Sequence, residues 1–278
     1  MPVYERGGVQ LAYDERGRTD GTPLVLLHGF TSDRRMWHQV ASLLERDARI
    51  VAPDLRGHGE SDAPDDIESY SMDGYAADLA ALLDHLEVER CHLVGCSFGG
   101  MVAMEFAVTS PQRVQTLVLS DTSPAYDRPE YTEEFRERER SIAKMVESID
   151  RFGPLETGRR AARDETNEFL AAGIRRRYAG MRRQGIVGAA RARRQRRDLS
   201  DLLRTTLTMP VMLCMGEDDP VRSALPVMAR ELPGARQVTF QQTGHGVPAR
   251  EPRKFVDSLV DFLDDVKAGK PVATVVSL

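Results

Sequence analysis

Short apolar runs, each closed by a turn residue, recur along the first half of the chain. Leu24 to Leu27 ends at His28-Gly29, Arg49 to Ala52 at Pro53-Asp54, Cys91 to Val94 at Gly95, and Thr116 to Leu119 before Asp121. Runs of this length, bounded by turn residues, predict strands buried on both faces of a parallel sheet. Val9 to Tyr13 alternates apolar and polar positions instead, which predicts a strand at an antiparallel edge. Between the runs the spacing turns helical. Tyr75, Leu79, Leu82, Leu83 and Leu86 mark a helix over residues 73–87, with Asp73 as its candidate cap, and residues 99–109 mark another. The rhythm resumes after residue 205. Val211 to Met215 reads as a strand, Ala224 to Leu232 as a helix and Gln237 to Phe240 as a strand. Residues 252–266 then place Phe255, Leu259, Phe262 and Leu263 on one helix face. Repeated β-α units predict a three-layer α/β architecture.

Residues 125–205 interrupt this pattern with almost no strand-like run. They hold 19 Arg and 1 Lys against 14 acidic residues, a net of +6 in a chain whose total is −5. Such a shift predicts an inserted helical segment, dividing the chain into 1–124, 125–205 and 206–278. The densest basic stretch is Arg175 to Arg197. The tail, Gly269 to Leu278, has no periodic pattern and is expected to be mobile.

With 278 residues, 41% of them hydrophobic, the chain can bury a sizeable core. The negative net charge argues against a general nucleic-acid binder. No apolar run approaches the roughly 18 residues of a membrane span. The N-terminus lacks the apolar stretch of a signal peptide, so the cytoplasm is the expected location. Cys91, Cys96 and Cys214 sit in or beside apolar runs without metal-ligand spacing, which predicts buried thiols and no metal site.

The candidate chemistry begins at Gly95-Cys96-Ser97-Phe98-Gly99, which follows a predicted strand and opens a predicted helix. In this G-x-S-x-G context the central serine sits on a strained turn that thrusts its hydroxyl out of the sheet's carboxyl edge. Bulky neighbours two positions away would clash. The helix starting there favours developing negative charge. A hydroxyl needs a base to become a nucleophile. Gly244-His245-Gly246 supplies an imidazole on an open loop, and Gly216-Glu217-Asp218-Asp219-Pro220 supplies adjacent aspartates after a strand. Only one of the two should reach His245, because their side chains point different ways.

These segments, with His28-Gly29-Phe30, Asp54 to Ser61 and Glu251-Pro252, resemble the α/β-hydrolase superfamily over nearly the whole chain. Its small enol-lactonase, non-haem haloperoxidase and carboxylesterase members are the most similar. The resemblance implies a three-layer fold with a mostly parallel eight-stranded sheet and a helical cap inserted after the sixth core strand, at residues 125–205. It implies a Ser97, Asp219, His245 triad, the family pattern G-x-x-D selecting Asp219. Asp218 is a reserve, and so is Asp121, where some members carry the acid after the preceding strand. It places oxyanion donors at the backbone N–H of Phe30 and Phe98. His28, Gly29 and Trp37 are pocket candidates, with His28 similar to a structural histidine of the oxyanion loop and Trp37 reading equally well as core. Asp54 and His58 match a structural turn motif, and Ser61 reads as a turn or cap residue. His38, His85 and His92 read as ordinary, Cys96 as packed beneath the elbow, and Met101 and Met104 as core.

The implied activity is hydrolysis of a small carboxylic ester or lactone through an acyl-enzyme, with no cofactor, metal, nucleic acid or membrane. The same triad serves C–C hydrolases, thioesterases, amidases and iminopeptidases. A lyase or cyclase and a ligand receptor are readings from other classes. Serine at the elbow disfavours haloalkane dehalogenases and epoxide hydrolases, which carry Asp there, and dienelactone hydrolases, which carry Cys. A cap would close the pocket and exclude water. Its arginines fit either solvated helix faces with ion pairs or contacts to a substrate carboxylate or phosphate.

Overall fold

The computed structural model describes residues 2–278. Nine strands form one sheet: β1 (Val3–Arg6), β2 (Val9–Gly17), β3 (Leu24–Leu27), β4 (Arg49–Pro53), β5 (Cys91–Cys96), β6 (Val114–Ser120), β7 (Val211–Gly216), β8 (Arg236–Phe240) and β9 (Val275–Ser277). Their spatial order is β1-β2-β4-β3-β5-β6-β7-β8-β9. β2 pairs antiparallel with both β1 and β4, and all later pairs are parallel. The alternating segment is therefore antiparallel as expected, but the edge strand is β1.

The ninth strand corrects the expected count of eight and the expectation of a mobile tail. Val275–Ser277 lies parallel to β8, and the amides of Gln237 and Gln241 donate to Thr274 and Leu278 carbonyls at 2.7 and 2.8 Å. Backbone pairing leaves no side-chain periodicity to detect in so short a strand.

Period-two alternation sorts the central strands between two cores. Val25, Leu27, Leu93, Leu117, Leu119 and Leu213 face α2 (Met72–His85) and α3 (Phe98–Thr109). Leu24, Leu26, Val94, Val118 and Met212 face the other way, where Trp37, Val40, Phe255, Leu259 and Phe262 cover them. That second layer is α1 (His38–Leu44) and α11 (Pro252–Lys267). The cap of α2 is Ser71, not Asp73: its hydroxyl accepts from the Gly74 amide at 3.0 Å. Of the two readings of Trp37, pocket or core, the core one holds. It is buried in the second core with its ring centroid 6.3 Å from Phe255, on the turn where Met36 faces the cavity instead.

Five helices lie between β6 and β7 in sequence: α4 (Glu133–Phe152), α5 (Pro154–Ala161), α6 (Glu168–Ala179), α7 (Arg183–Gln195) and α8 (Ser200–Thr206). Backbone-to-backbone packing anchors this segment. A Cβ on Gly185 would sit 1.9 Å from the Gly57 carbonyl oxygen, so α7 touches the turn after β4 only because that residue is glycine. Arg182 adds a 3.0 Å bond to the Ser61 carbonyl. Many of the segment's arginines pair with nearby acids, among them Arg160 with Glu156, Arg183 with Asp150 and Arg197 with Glu105. The first two are exposed pairs, which contribute at most about 1 kcal/mol each, whereas Glu105 is buried. α9 (Ala224–Glu231) and α10 (Val247–Arg250) complete the helices. No helix among the described residues is long and apolar enough to cross a membrane.

Candidate active site

Ser97 stands at the junction of β5 and α3 with φ 56° and ψ −114°. A non-glycine residue at positive φ is strained and persists only where its surroundings hold it. The flanking glycines show how. A Cβ on Gly95 would meet the Gly99 carbonyl oxygen at 2.4 Å, and one on Gly99 would meet that of Leu27 at 2.2 Å. The bend therefore requires both glycines, as the pattern suggested. Phe98 opens α3, so its amide has no intrahelical acceptor. The Phe30 amide likewise donates to no protein acceptor among the described residues. An ideal Cβ on Gly29 would lie 3.6 Å from the Ser97 Cβ, placing the loop after β3 against the serine.

The structure brings three sequence-distant residues into one hydrogen-bonded chain. His245 Nε2 lies 2.9 Å from Ser97 Oγ, and His245 Nδ1 lies 2.8 Å from Asp219 Oδ2. Asp219 is buried and also accepts from the Val221 amide at 2.9 Å. With a carboxylate on Nδ1, the proton belongs there and the Nε2 lone pair faces Ser97. Asp218, its neighbour, is exposed and contributes only its backbone amide to Thr243. Burial alone would push the Asp219 carboxyl up, but the bond to His245 and its charge hold it below the usual range. Burial lowers the His245 pKa below the ordinary 6.5. Asp219 opposes that shift, and the Arg138 guanidinium deepens it.

Asp121 does not touch His245. It accepts from the Val247 amide and the Ser120 hydroxyl at 2.8 and 2.6 Å, and more weakly from the Gly216 amide at 3.3 Å. Asp121, Asp219 and His245 each place a ligand-type atom within 4.8 Å of the others. Those atoms are spent on one another and on backbone amides, so the group is a hydrogen-bonded cluster and not a cation cage. Burial, then the Asp219 charge, pushes Asp121 up to about 8, so it holds a proton at neutral pH. The folded protein thus carries a proton that the unfolded chain releases near 3.8. Stability should fall as pH rises from 3.8 to about 8, by at most about 1.4 kcal/mol per pH unit. Asp121→Asn removes that slope. Thermal unfolding across this window should show the variant gaining on the parent until the difference levels off above pH 8; parallel curves would contradict the assignment.

Of the remaining sequence candidates, Gly29 and Cys96 line the cavity over Ser97, and His58 lines an adjoining one that shares His245. His28 is fully buried: its Nδ1–H donates to the Gly29 carbonyl at 2.9 Å and its Nε2 accepts from the Leu55 amide at 3.0 Å. Burial and neighbouring His58 depress its pKa to about 3. It braces the loop and does not line the cavity. His58 Nε2 lies 2.6 Å from the Phe30 carbonyl oxygen, fixing that peptide. Asp54 accepts from the Arg34 and Glu60 amides, and Ser61 donates to the Asp54 carbonyl at 2.6 Å. His38 faces Asp14, His85 the Tyr13 hydroxyl and His92 the Thr116 hydroxyl. Cys91, Cys96 and Cys214 are free and buried, and the Cys96 thiol packs 3.9 Å from Asp121.

A cavity of about 350 Å³ opens over Ser97 and His245. Gly29, Phe30, Met36 and, from the inserted helices, Arg138, Met145 and Arg193 are among its walls. Periodicity did not single out these insert residues. Arg138 Nη2 lies 2.8 Å from His245 Nε2. Arg193 is buried, hydrogen-bonded to Glu139, and its guanidinium sits 5.8 Å over the Phe30 ring. Their signal was present: Glu139 is a charge on the stripe of Phe135, Ile142, Val146 and Ile149. That stripe's register follows from the Thr132 cap of α4.

A family model described as the alpha/beta hydrolase fold matches residues 22–252. The 2-hydroxy-6-oxo-2,4-heptadienoate hydrolase of Pseudomonas putida is 30% identical over 272 residues, covering 92% of this chain and 94% of the relative. The pimeloyl-[acyl-carrier protein] methyl ester esterase of Aeromonas hydrophila is 28% identical, covering 87% and 96%. A thermophilic esterase structure from Thermogutta terrifontis, with malate bound, superposes with a TM-score of 0.78 at 29% identity, covering 95% of this chain and 97% of that one.

Proposed function

Because the chain belongs to the α/β-hydrolase fold family, we propose that it is a serine hydrolase acting on a small carboxylic ester or lactone. The observation that carries this reading is the unbroken chain from Ser97 Oγ through His245 to Asp219, at 2.9 and 2.8 Å. Esterases among the relatives support the choice of bond.

Ser97 Oγ attacks the acyl carbon while its proton passes to His245 Nε2. Asp219 stabilises the imidazolium that forms and keeps the ring oriented. Negative charge on the carbonyl oxygen is met by the Phe30 and Phe98 amides, each such donor contributing about 2.7–4 kcal/mol to the barrier reduction. The imidazolium then protonates the leaving oxygen, and the C–O bond breaks to leave an acyl-Ser97. In the second half, water gives its proton to His245, attacks the acyl carbon and releases the acid and the Ser97 hydroxyl. Residues 125–205 act as a cap that walls the site from water.

A panel at one pH tests the bond class: a 4-nitrophenyl ester, a lactone, a thioester, an anilide and a vinylogous diketone of similar size. The expected result is the highest kcat/KM on the ester or lactone. Preference for the diketone, the kind of substrate named for the Pseudomonas putida relative, would reassign the enzyme to C–C hydrolysis with the same residues.

A further inference from the structure

Arg138 is the feature the triad mechanism does not absorb. A guanidinium is a donor only and keeps its charge in proteins. At 2.8 Å from His245 Nε2, its N–H therefore points at the imidazole's one free lone pair. Ser97 Oγ, 2.9 Å from the same atom, needs that lone pair for its proton. The two donors compete. Proton transfer would moreover set an imidazolium directly against a guanidinium, while catalysis requires the imidazolium to form easily. As it stands, Arg138 opposes the step that the rest of the site is arranged to promote.

Protein carboxylates do little to relieve the conflict. The nearest, Glu139, is bonded to Arg193 and reaches Arg138 Nη1 only at 3.4 Å. Its second oxygen is buried without a hydrogen-bond partner. Arg177, also on the cavity wall, bonds to the Thr31 hydroxyl and to no carboxylate. The cavity thus holds guanidiniums in excess of carboxylates, and one of them rests on the catalytic base. A substrate carboxylate would take two N–H groups of Arg138 in a fork, which is stronger than a bond to a neutral imidazole nitrogen. It would also cancel the charge beside His245.

We propose that Arg138 is a specificity-determining residue that occupies His245 Nε2 in the free protein and is drawn off by a carboxylate on the substrate. This reading rests on the serine-hydrolase assignment above. The carboxylate belongs on the acyl side. Deacylation needs the His245 base a second time, after the alcohol has left, and only an acyl-borne anion is then still in place to hold Arg138 away. The protein accordingly selects half-esters of dicarboxylic acids, or lactones that open to them. The groups facing His245 are Asp219 from the loop after β7, Asp121 from the loop after β6, Ser97, and Arg138 and Arg193 from α4 and α7. Removing one cation from this set should raise the His245 pKa, so the acid limb of activity, where the base becomes protonated, moves to higher pH.

The test compares mono-(4-nitrophenyl) adipate with 4-nitrophenyl 5-carbamoylpentanoate, its carboxamide isostere, in the parent, Arg138→Gln and Arg138→Lys. The parent should prefer the carboxylate ester by tenfold or more in kcat/KM. In Arg138→Gln that preference collapses toward unity. The carboxylate ester slows at least tenfold, the carboxamide ester speeds up two- to tenfold, and the acid limb on the carboxamide ester shifts upward. Arg138→Lys, which keeps the charge but not the fork, retains part of the preference. Labelling of each variant by a fluorophosphonate shows that the site is folded. Equal losses on both esters in a labelled Arg138→Gln, or no preference in the parent, would overturn the inference and leave the serine-hydrolase reading standing. So would labelling of a parent that turns over neither ester. A parent that is neither labelled nor active would overturn both.

Discussion

Ser97→Ala should lower kcat on a 4-nitrophenyl ester by about 10⁴-fold or more, toward the background that binding and oxyanion contacts alone sustain. The size follows from the division of labour. Without Oγ there is no acyl-enzyme, and His245 has nothing to deprotonate except water held in a pocket shaped for another geometry. The substitution should leave the fold in place. Ser97 sits at φ 56°, a conformation imposed by the packing of Gly95 and Gly99, and alanine meets the same backbone constraint as serine. What is lost to stability is one bond to His245, about 1 kcal/mol. Circular dichroism and thermal unfolding close to the parent, with activity gone, is the expected pair of results. Retention of most turnover would instead point to His245 acting as a base in a lyase or cyclase, with Ser97 secondary.

Asp219→Asn should cost about 10⁴-fold in kcat, and Asp218→Asn less than threefold. The contrast is sharp because the two side chains are adjacent in sequence and opposite in environment. Asp219 is fully buried against His245 Nδ1, whereas Asp218 faces solvent. An asparagine at 219 keeps the volume but can present its amide N–H to Nδ1. The ring then places its proton on Nε2, where it cannot accept from Ser97, and no charge remains to stabilise the imidazolium. Comparable losses in both variants would mean that the loop after β7 tolerates neither change structurally, and unfolding curves would show it.

The parts of this molecule that could be read from its residues are those where local pattern and tertiary role coincide. Leu24 to Leu27 is buried at every position and begins and ends where the apolar run does. Gly95, Ser97 and Gly99 are interpretable because a steric demand acts within five consecutive residues. His245 stands out because glycines frame it. The choice among Asp121, Asp218 and Asp219 was open to residue chemistry alone. All three follow a strand, and what separates them is burial and approach to a distant imidazole. The resemblance to a family selected Asp219, and the geometry places that residue at His245. The edge strands β1 and β9 escaped because short, half-exposed strands are held by backbone bonds and carry little side-chain signal. Pocket and core stay open for Trp37 in the sequence for a related reason: in a turn of four residues, Arg34–Trp37, the neighbouring Met36 and Trp37 point to different layers.

The inserted helices were legible as a compositional shift but not in register. Nineteen arginines in one segment read the same whether they face water or substrate. The structure separates them by partner. Arg160 and Arg183 pair with acids at the surface and Arg197 with the buried Glu105, whereas Arg138, besides its long contact to Glu139, meets an imidazole nitrogen.

The account depends above all on a hydroxyl at residue 97 made nucleophilic by His245. Reaction with a fluorophosphonate followed by peptide mass spectrometry measures that directly. One adduct per chain on Ser97, absent in Ser97→Ala and strongly slowed in His245→Ala, is the predicted result. A parent that hydrolyses esters yet carries no adduct, or carries it on another residue, would contradict it.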